Sequence, residues 1–118
     1  LLLVIATDGA PTDMTGKVET GEFIDRLASR PKNVFVSIIA CTDDDASIGY
    51  LNKIDRVIPG IDVSDDYYSE SYEIKKKQGK SYKFSFGDYV VKALLGPIDP
   101  SFDNLDENKS SGGCCVIS

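Results

Sequence analysis

Histidine and tryptophan do not occur in this chain, methionine occurs once, and cysteine occurs three times in 118 residues. Without histidine the chain lacks the commonest general base near neutral pH and the commonest transition-metal ligand, which disfavours zinc sites and Ser-His chemistry. Three cysteines, two of them adjacent at the C-terminus, cannot build a disulfide framework. Cys41 lies in an apolar strand pattern, where a buried, inert thiol is the expected state, and the set fits a reducing, cytoplasmic compartment. Net positive charge is also missing: 13 Lys and Arg against 19 Asp and Glu give −6. That balance opposes nucleic-acid binding, which needs clustered cations to displace counterions. No apolar run approaches the roughly 20 residues needed to span a bilayer. The first one, Leu1 to Ala6, is followed closely by Asp8 and has no basic flank, so it does not read as a signal peptide.

What is present suits one domain core, with 42% hydrophobic and 27% charged residues. The chain opens on Leu1-Leu2-Leu3 without an initiator methionine, as if inside an element, and is expected to be a fragment whose N-terminal half is missing. Leu1 to Ala6 and Val34 to Ala40 are short runs of Val, Ile and Leu bounded by polar and turn residues, which is how central strands buried on both faces read. Between them Phe23, Ile24, Leu27 and Ala28 share one face of a helix over Thr20 to Ser29, stopped by Pro31. Asp43 to Asp45 offer N-cap carboxylates to a second helix carrying Ile48, Leu51, Ile54 and Ile58, ended by Pro59-Gly60. Ile61-Asp62-Val63 supplies a short third strand. Ser64 to Gly79 fits a polar helix, with a hairpin through Tyr72, Ile74, Tyr82, Phe84 and Phe86 as the alternative. Phe86 to Leu95 is a helix with Tyr89, Val90, Ala93 and Leu94 as its apolar face, terminated at Gly96-Pro97. Strands alternating with helices predict an α/β fold, part of a doubly wound and mainly parallel sheet. The domain is expected over residues 1–98, and residues 99–118 form an acidic, flexible tail.

One basic run departs from the acidic background: Lys75-Lys76-Lys77 with Lys80 and Lys83. A solvated helix face or turn is its plain explanation, and contact with phosphates or lipid headgroups is the second.

Two constellations carry chemistry. The chain ends Cys114-Cys115-Val116-Ile117-Ser118, with Cys115 fourth from the carboxyl terminus, two aliphatic residues and a final Ser, which is the prenylation pattern of farnesyl type. Typical residue frequencies give such a coincidence in about one random C-terminus in a thousand. One prenyl chain holds a membrane weakly, so a second signal is needed. The tail between Asp99 and Lys109 is acidic and would be repelled by an anionic leaflet, so palmitoylation of Cys114 is the expected second anchor. The chain is thus expected as a lipoprotein, peripheral on the cytosolic face of a membrane. The other constellation is acidic. Thr7-Asp8-Gly9 follows the first strand, Asp13 lies five residues on, and Thr42-Asp43-Asp44-Asp45 follows the second strand. Ligands of parallel α/β sheets sit outside the carboxyl ends of the strands, and carboxylates with hydroxyls suit a hard cation such as Mg²⁺. Capping and turn formation explain Asp13, Asp43, Asp44 and Asp45 equally simply. Asp8, between an apolar strand and Gly9, is the candidate least explained by structure alone.

An apolar strand ending in Thr7-Asp8-Gly9, then a helix, the strand Val34 to Ala40 and further helices, resembles the second half of a von Willebrand factor A-type (VWFA) domain over roughly residues 1–95. The resemblance implies a Rossmann-like sheet in which Asp8 contributes to a metal-ion-dependent adhesion site (MIDAS), directly or through water. Thr7, Asp13 and Asp43 are the further candidates beside it. The family's Asp-x-Ser-x-Ser loop and its middle-loop Thr would lie upstream of Leu1. Mg²⁺ is accordingly expected only in an intact domain, and half of such a sheet leaves the edge beside its first strand unpaired.

The leading expectation is a lipid-anchored protein-binding module whose metal rim receives an acidic residue of a protein partner. A metal-free, membrane-tethered scaffold is the alternative. A Mg²⁺-dependent phosphoryl-transfer enzyme is disfavoured, since the chain has neither a glycine-rich phosphate loop nor an evident Asp nucleophile with its acid partner.

Overall fold

Three of the apolar runs form one parallel sheet. The computed structural model describes residues 1–103; Cys114, Cys115 and the rest of the tail beyond Asp103 lie outside the described residues. In chain order the elements are β1 (Leu2–Thr7), α1 (Thr20–Ala28), β2 (Phe35–Ala40), α2 (Asp45–Val57), β3 (Ile61–Ser64), α3 (Tyr67–Gln78), α4 (Phe86–Leu95) and a single turn, α5 (Pro100–Asp103). The sheet order is β1-β2-β3, with Thr7 opposite Ala40 and Ile39 opposite Ser64. The architecture is therefore α/β with a three-stranded parallel sheet.

Alternation along the strands gives the sheet two chemically different faces. Val36, Ile38, Ala40 and Ile61 point one way into an apolar core shared with Leu27 of α1 and Leu51 and Ile54 of α2, while Ile5, Phe23, Ile24 and Ile48 pack at its margin. Each large aliphatic side chain buried there contributes about 1.5–3 kcal/mol. The opposite face carries Ser37, Asp62 and Ser64, all fully buried, and is covered by α4. Buried polar residues need partners, and α4 brings in Lys92, whose ammonium lies 3.8 Å from Asp62 Oδ2 and 3.5 Å from Glu70 Oε2 of α3. Gly96, just after α4, permits this approach, because a Cβ at that position would collide with the Asp62 carboxylate.

Local chemistry sets the element ends. Asp44 accepts the Ala46 N–H and the Ser47 hydroxyl at the start of α2. Asp66 accepts the Tyr68 and Ser69 N–H groups at the start of α3. Ser85 and Asp88 form a reciprocal capping box on α4. Gly60 takes φ +76° in the turn from α2 to β3. There the Arg30 guanidinium donates to the carbonyls of Val34, Leu27 and Pro59 at 2.8, 2.9 and 2.6 Å, stitching two loops to the end of α1.

Several expectations need correction. β1 is not a central strand buried on both faces: it is the sheet edge among the described residues, with Leu3 45% and Val4 44% exposed. Composition alone does not separate an edge strand from a central one when the edge keeps an apolar sequence. Between Ser64 and Gly79 the helix expected there forms, as α3, and a return loop follows it; the hairpin alternative through residues 72–86 does not form. On α4 the face toward the sheet is Tyr89, Lys92 and Ala93, whereas Val90 and Leu94 are 41% and 43% exposed, because the carboxylates below select the lysine. Cys41 falls just beyond β2 and is exposed, not buried. Four residues of the acidic tail segment, Pro100–Asp103, form a helical turn.

Candidate functional site

All three strands run parallel, so their carboxyl ends share one rim: Thr7-Asp8-Gly9 after β1, Cys41 to Asp45 after β2, and Asp65-Asp66 after β3. The β1 and β2 ends are tied by the Cys41 N–H, which donates to the Thr7 carbonyl at 2.7 Å. The turn after β1 is held from within, since the Thr7 hydroxyl donates to the Gly9 carbonyl at 3.0 Å and accepts the Gly9 N–H at 3.3 Å. From α2 the Tyr50 hydroxyl reaches the same Gly9 carbonyl at 3.3 Å, with its ring edge-on to Phe23. Partial burial raises the Tyr50 pKa, so the phenol stays protonated as a donor.

The acidic candidates divide by what their oxygens do. Asp13 is a turn former: its Oδ1 accepts the Thr15 N–H and hydroxyl, each at 2.7 Å, and the Lys17 N–H at 3.0 Å. The Thr15 hydroxyl first, then the backbone amides, hold its carboxyl below the usual carboxylate range. Asp44 caps α2. Asp8 and Asp43, on neighbouring strand ends, are exposed and make no hydrogen bond among the described residues. Thr7 is engaged in the turn, and Thr42 accepts the Asp44 N–H at 3.2 Å. Among the described residues no three His, Cys, Asp or Glu side chains converge as a metal site. Among the described residues two candidate carboxylates, Asp8 and Asp43, remain uncommitted at the rim, and an oxygen shell of six needs further ligands.

Two groupings on the far side of the sheet were not anticipated from sequence. One is the buried cluster of Lys92, Asp62 and Glu70; its only signal is a lysine three residues after Tyr89 in the middle of an apolar helix. The other is aromatic. Tyr67 stacks on Phe84 and meets Phe86 and Tyr89 edge-on, with ring centroids 6.3, 5.5 and 5.9 Å apart. Its hydroxyl donates to the Phe84 carbonyl at 3.0 Å, and Tyr89 donates to the Asp65 carbonyl at 2.8 Å. The crowding of aromatics between Tyr67 and Tyr89 was the legible sign.

Comparisons with protein-family models, with curated proteins and with solved structures find no match. Among the described residues no helix is long and apolar enough to cross a membrane.

Proposed function

We propose that the chain is the C-terminal part of a VWFA-like, lipid-anchored protein-binding module. In this reading it is a binder rather than an enzyme, and its ligand rim lies at the carboxyl ends of β1 and β2. The observation that carries the proposal is Asp8: an exposed carboxylate set by an internally braced Thr7-Asp8-Gly9 turn at the end of an apolar parallel strand. Parallel sheets place their ligands at that rim. Asp8, with Asp43 from the end of the neighbouring strand, would lend oxygen ligands to a Mg²⁺ ion whose other ligands come from outside these 118 residues. Bound there, the ion would supply a positive centre for a partner's carboxylate. Cys115 carries the prenyl group in this reading, and Cys114 an acyl chain.

The decisive experiment is to read the transcript upstream of Leu1 and to express the longer chain. An Asp-x-Ser-x-Ser loop there, together with a Mg²⁺-dependent rise in melting temperature that disappears in Asp8→Ala, is the expected result. Absence of the loop, or an equal Mg²⁺ response in parent and variant, rejects the metal reading. The metal-free scaffold is favoured by a specific observation, the engagement of Asp13 and Asp44 in a turn and a cap, and it is what stands if the Mg²⁺ response is missing.

A further inference from the structure

Five of the 13 basic residues of this acidic chain fall within residues 75–83, and no acid occurs from Ile74 to Gly87. Lys75, Lys76 and Lys77 occupy the last turn of α3, where cations offset the negative end of the helix dipole. Lys80 and Lys83 lie beyond the helix, where the dipole gives them nothing, and both are exposed. Among the described residues one acid pairs with any of the five, Glu73 at 3.9 Å from Lys76. Beside the lysines stands apolar surface that packing does not explain. Tyr68 is 82%, Tyr72 66% and Phe86 61% exposed. Tyr68, Tyr72 and Lys76 follow one another at a spacing of four along α3, so they form a single stripe. The Lys76 ammonium sits 6.0 Å from the centre of the Tyr72 ring. Tyr67 joins the stripe to Phe86, with centroids 5.4 Å from Tyr68 and 5.5 Å from Phe86.

We propose that this α3 and return-loop surface is a docking face for an anionic lipid bilayer. Tyrosine and phenylalanine rings partition to the depth of the headgroups, and lysine stems lie along apolar surface while their ammonium groups stay among the phosphates. Clusters of four to eight cations recognise anionic leaflets, and each cation adds to the attraction. The remainder of the chain carries all 19 acids against eight basic residues, so charge complementarity favours approach to an anionic surface through these lysines. The inference rests on the membrane-tethered reading above. It adds an electrostatic attachment, beside the lipid chains on Cys114 and Cys115, that the acidic segment after Asp99 cannot give.

The test uses the full 118-residue chain produced without lipidation, so that Cys115 plays no part, sedimented with vesicles of phosphatidylcholine alone or mixed with phosphatidylserine. Binding is expected to the mixed vesicles only and to be lost in high salt. Lys80→Gln with Lys83→Gln, both exposed and outside the helices, is expected to weaken it roughly tenfold or more. Tyr72→Ser with Phe86→Ser should weaken it several-fold without changing the salt dependence. Equal binding to both vesicle types, no change in the Lys80 and Lys83 variant, or displacement of the vesicles by a short single-stranded oligonucleotide overturns the proposal. A separate farnesyl-transfer assay on parent and Cys115→Ser reads the lipid anchor, so its failure is distinguishable from failure of the docking face.

Discussion

Lys92 is fully buried between two carboxylates, Asp62 and Glu70. Removing one member of such a group leaves the others desolvated without compensation, which typically costs about 3–5 kcal/mol, whereas removing charge from both sides restores much of it. Lys92→Met is therefore expected to lower the unfolding free energy by about 3–5 kcal/mol, and adding Asp62→Asn to recover at least ~1 kcal/mol, as read by urea denaturation. Simple additivity of the two changes would show that the residues are not coupled. This cluster was illegible because a lysine within a helix is by default a surface residue, and only the sheet's polar face reveals why it turns inward. Asp8 stands at the other extreme. Its position between an apolar run and Gly9 was readable from sequence, and the structure places it exposed at the strand ends. Its neighbours Asp13 and Asp44 were legible as turn and cap residues by the same local chemistry.

At the scale of elements, the two edges of the sheet are finished differently. Alternate residues of a strand direct their backbone groups to opposite sides. On β3 the outward N–H of Val63 donates to Asp55 at 3.2 Å, and just beyond the strand Asp65 donates to Glu70 at 2.9 Å. On β1 the Leu1 and Thr7 carbonyls face β2, so Leu2, Val4 and Ala6 point their N–H and C=O groups outward, where no strand pairs with them among the described residues. The strand Leu2–Thr7 has no charge, proline or bulge, the usual devices that keep an edge from pairing. The isolated chain is therefore expected to associate through β1 as its concentration rises, and Val4→Lys to restore the monomer in sedimentation velocity. A sharp, cooperative melt of a monomeric parent would contradict this. The element order was readable because six-residue apolar runs, Pro31, Pro59-Gly60 and Gly96-Pro97 punctuate the chain. The unpaired edge beside β1 was legible only through the resemblance to half of a larger sheet, since the strand's own apolar sequence reads as that of a central strand.

Over the whole molecule, charge is distributed rather than uniform: the sequence carries −6 net with a pI near 4.5, yet the acid-free stretch 74–87 holds five lysines. Lowering pH from 7 toward the pI removes negative charge from the rest of the surface and leaves the lysines charged, which weakens repulsion from an anionic bilayer without weakening attraction. Vesicle binding of the unlipidated chain is accordingly expected to strengthen as pH falls toward about 4.5. Stability sets the lower limit of that window. Asp66, through the Ser69 hydroxyl, and Asp13, through the Thr15 hydroxyl, both have carboxyl pKa values below the ordinary 3.8. For groups depressed in the folded state, the stabilisation is fully present above the unfolded pKa and is lost as pH falls through the folded one. Their contribution is intact throughout the range in which binding strengthens, and fades only below about pH 4. Melting temperature and vesicle sedimentation measured on the same samples from pH 7 downward should then part company, with binding rising while the melting temperature holds and the fold loosening only at the acid end. Binding that falls steadily from pH 7 would show that attraction between Lys75 to Lys83 and the anionic surface does not drive it.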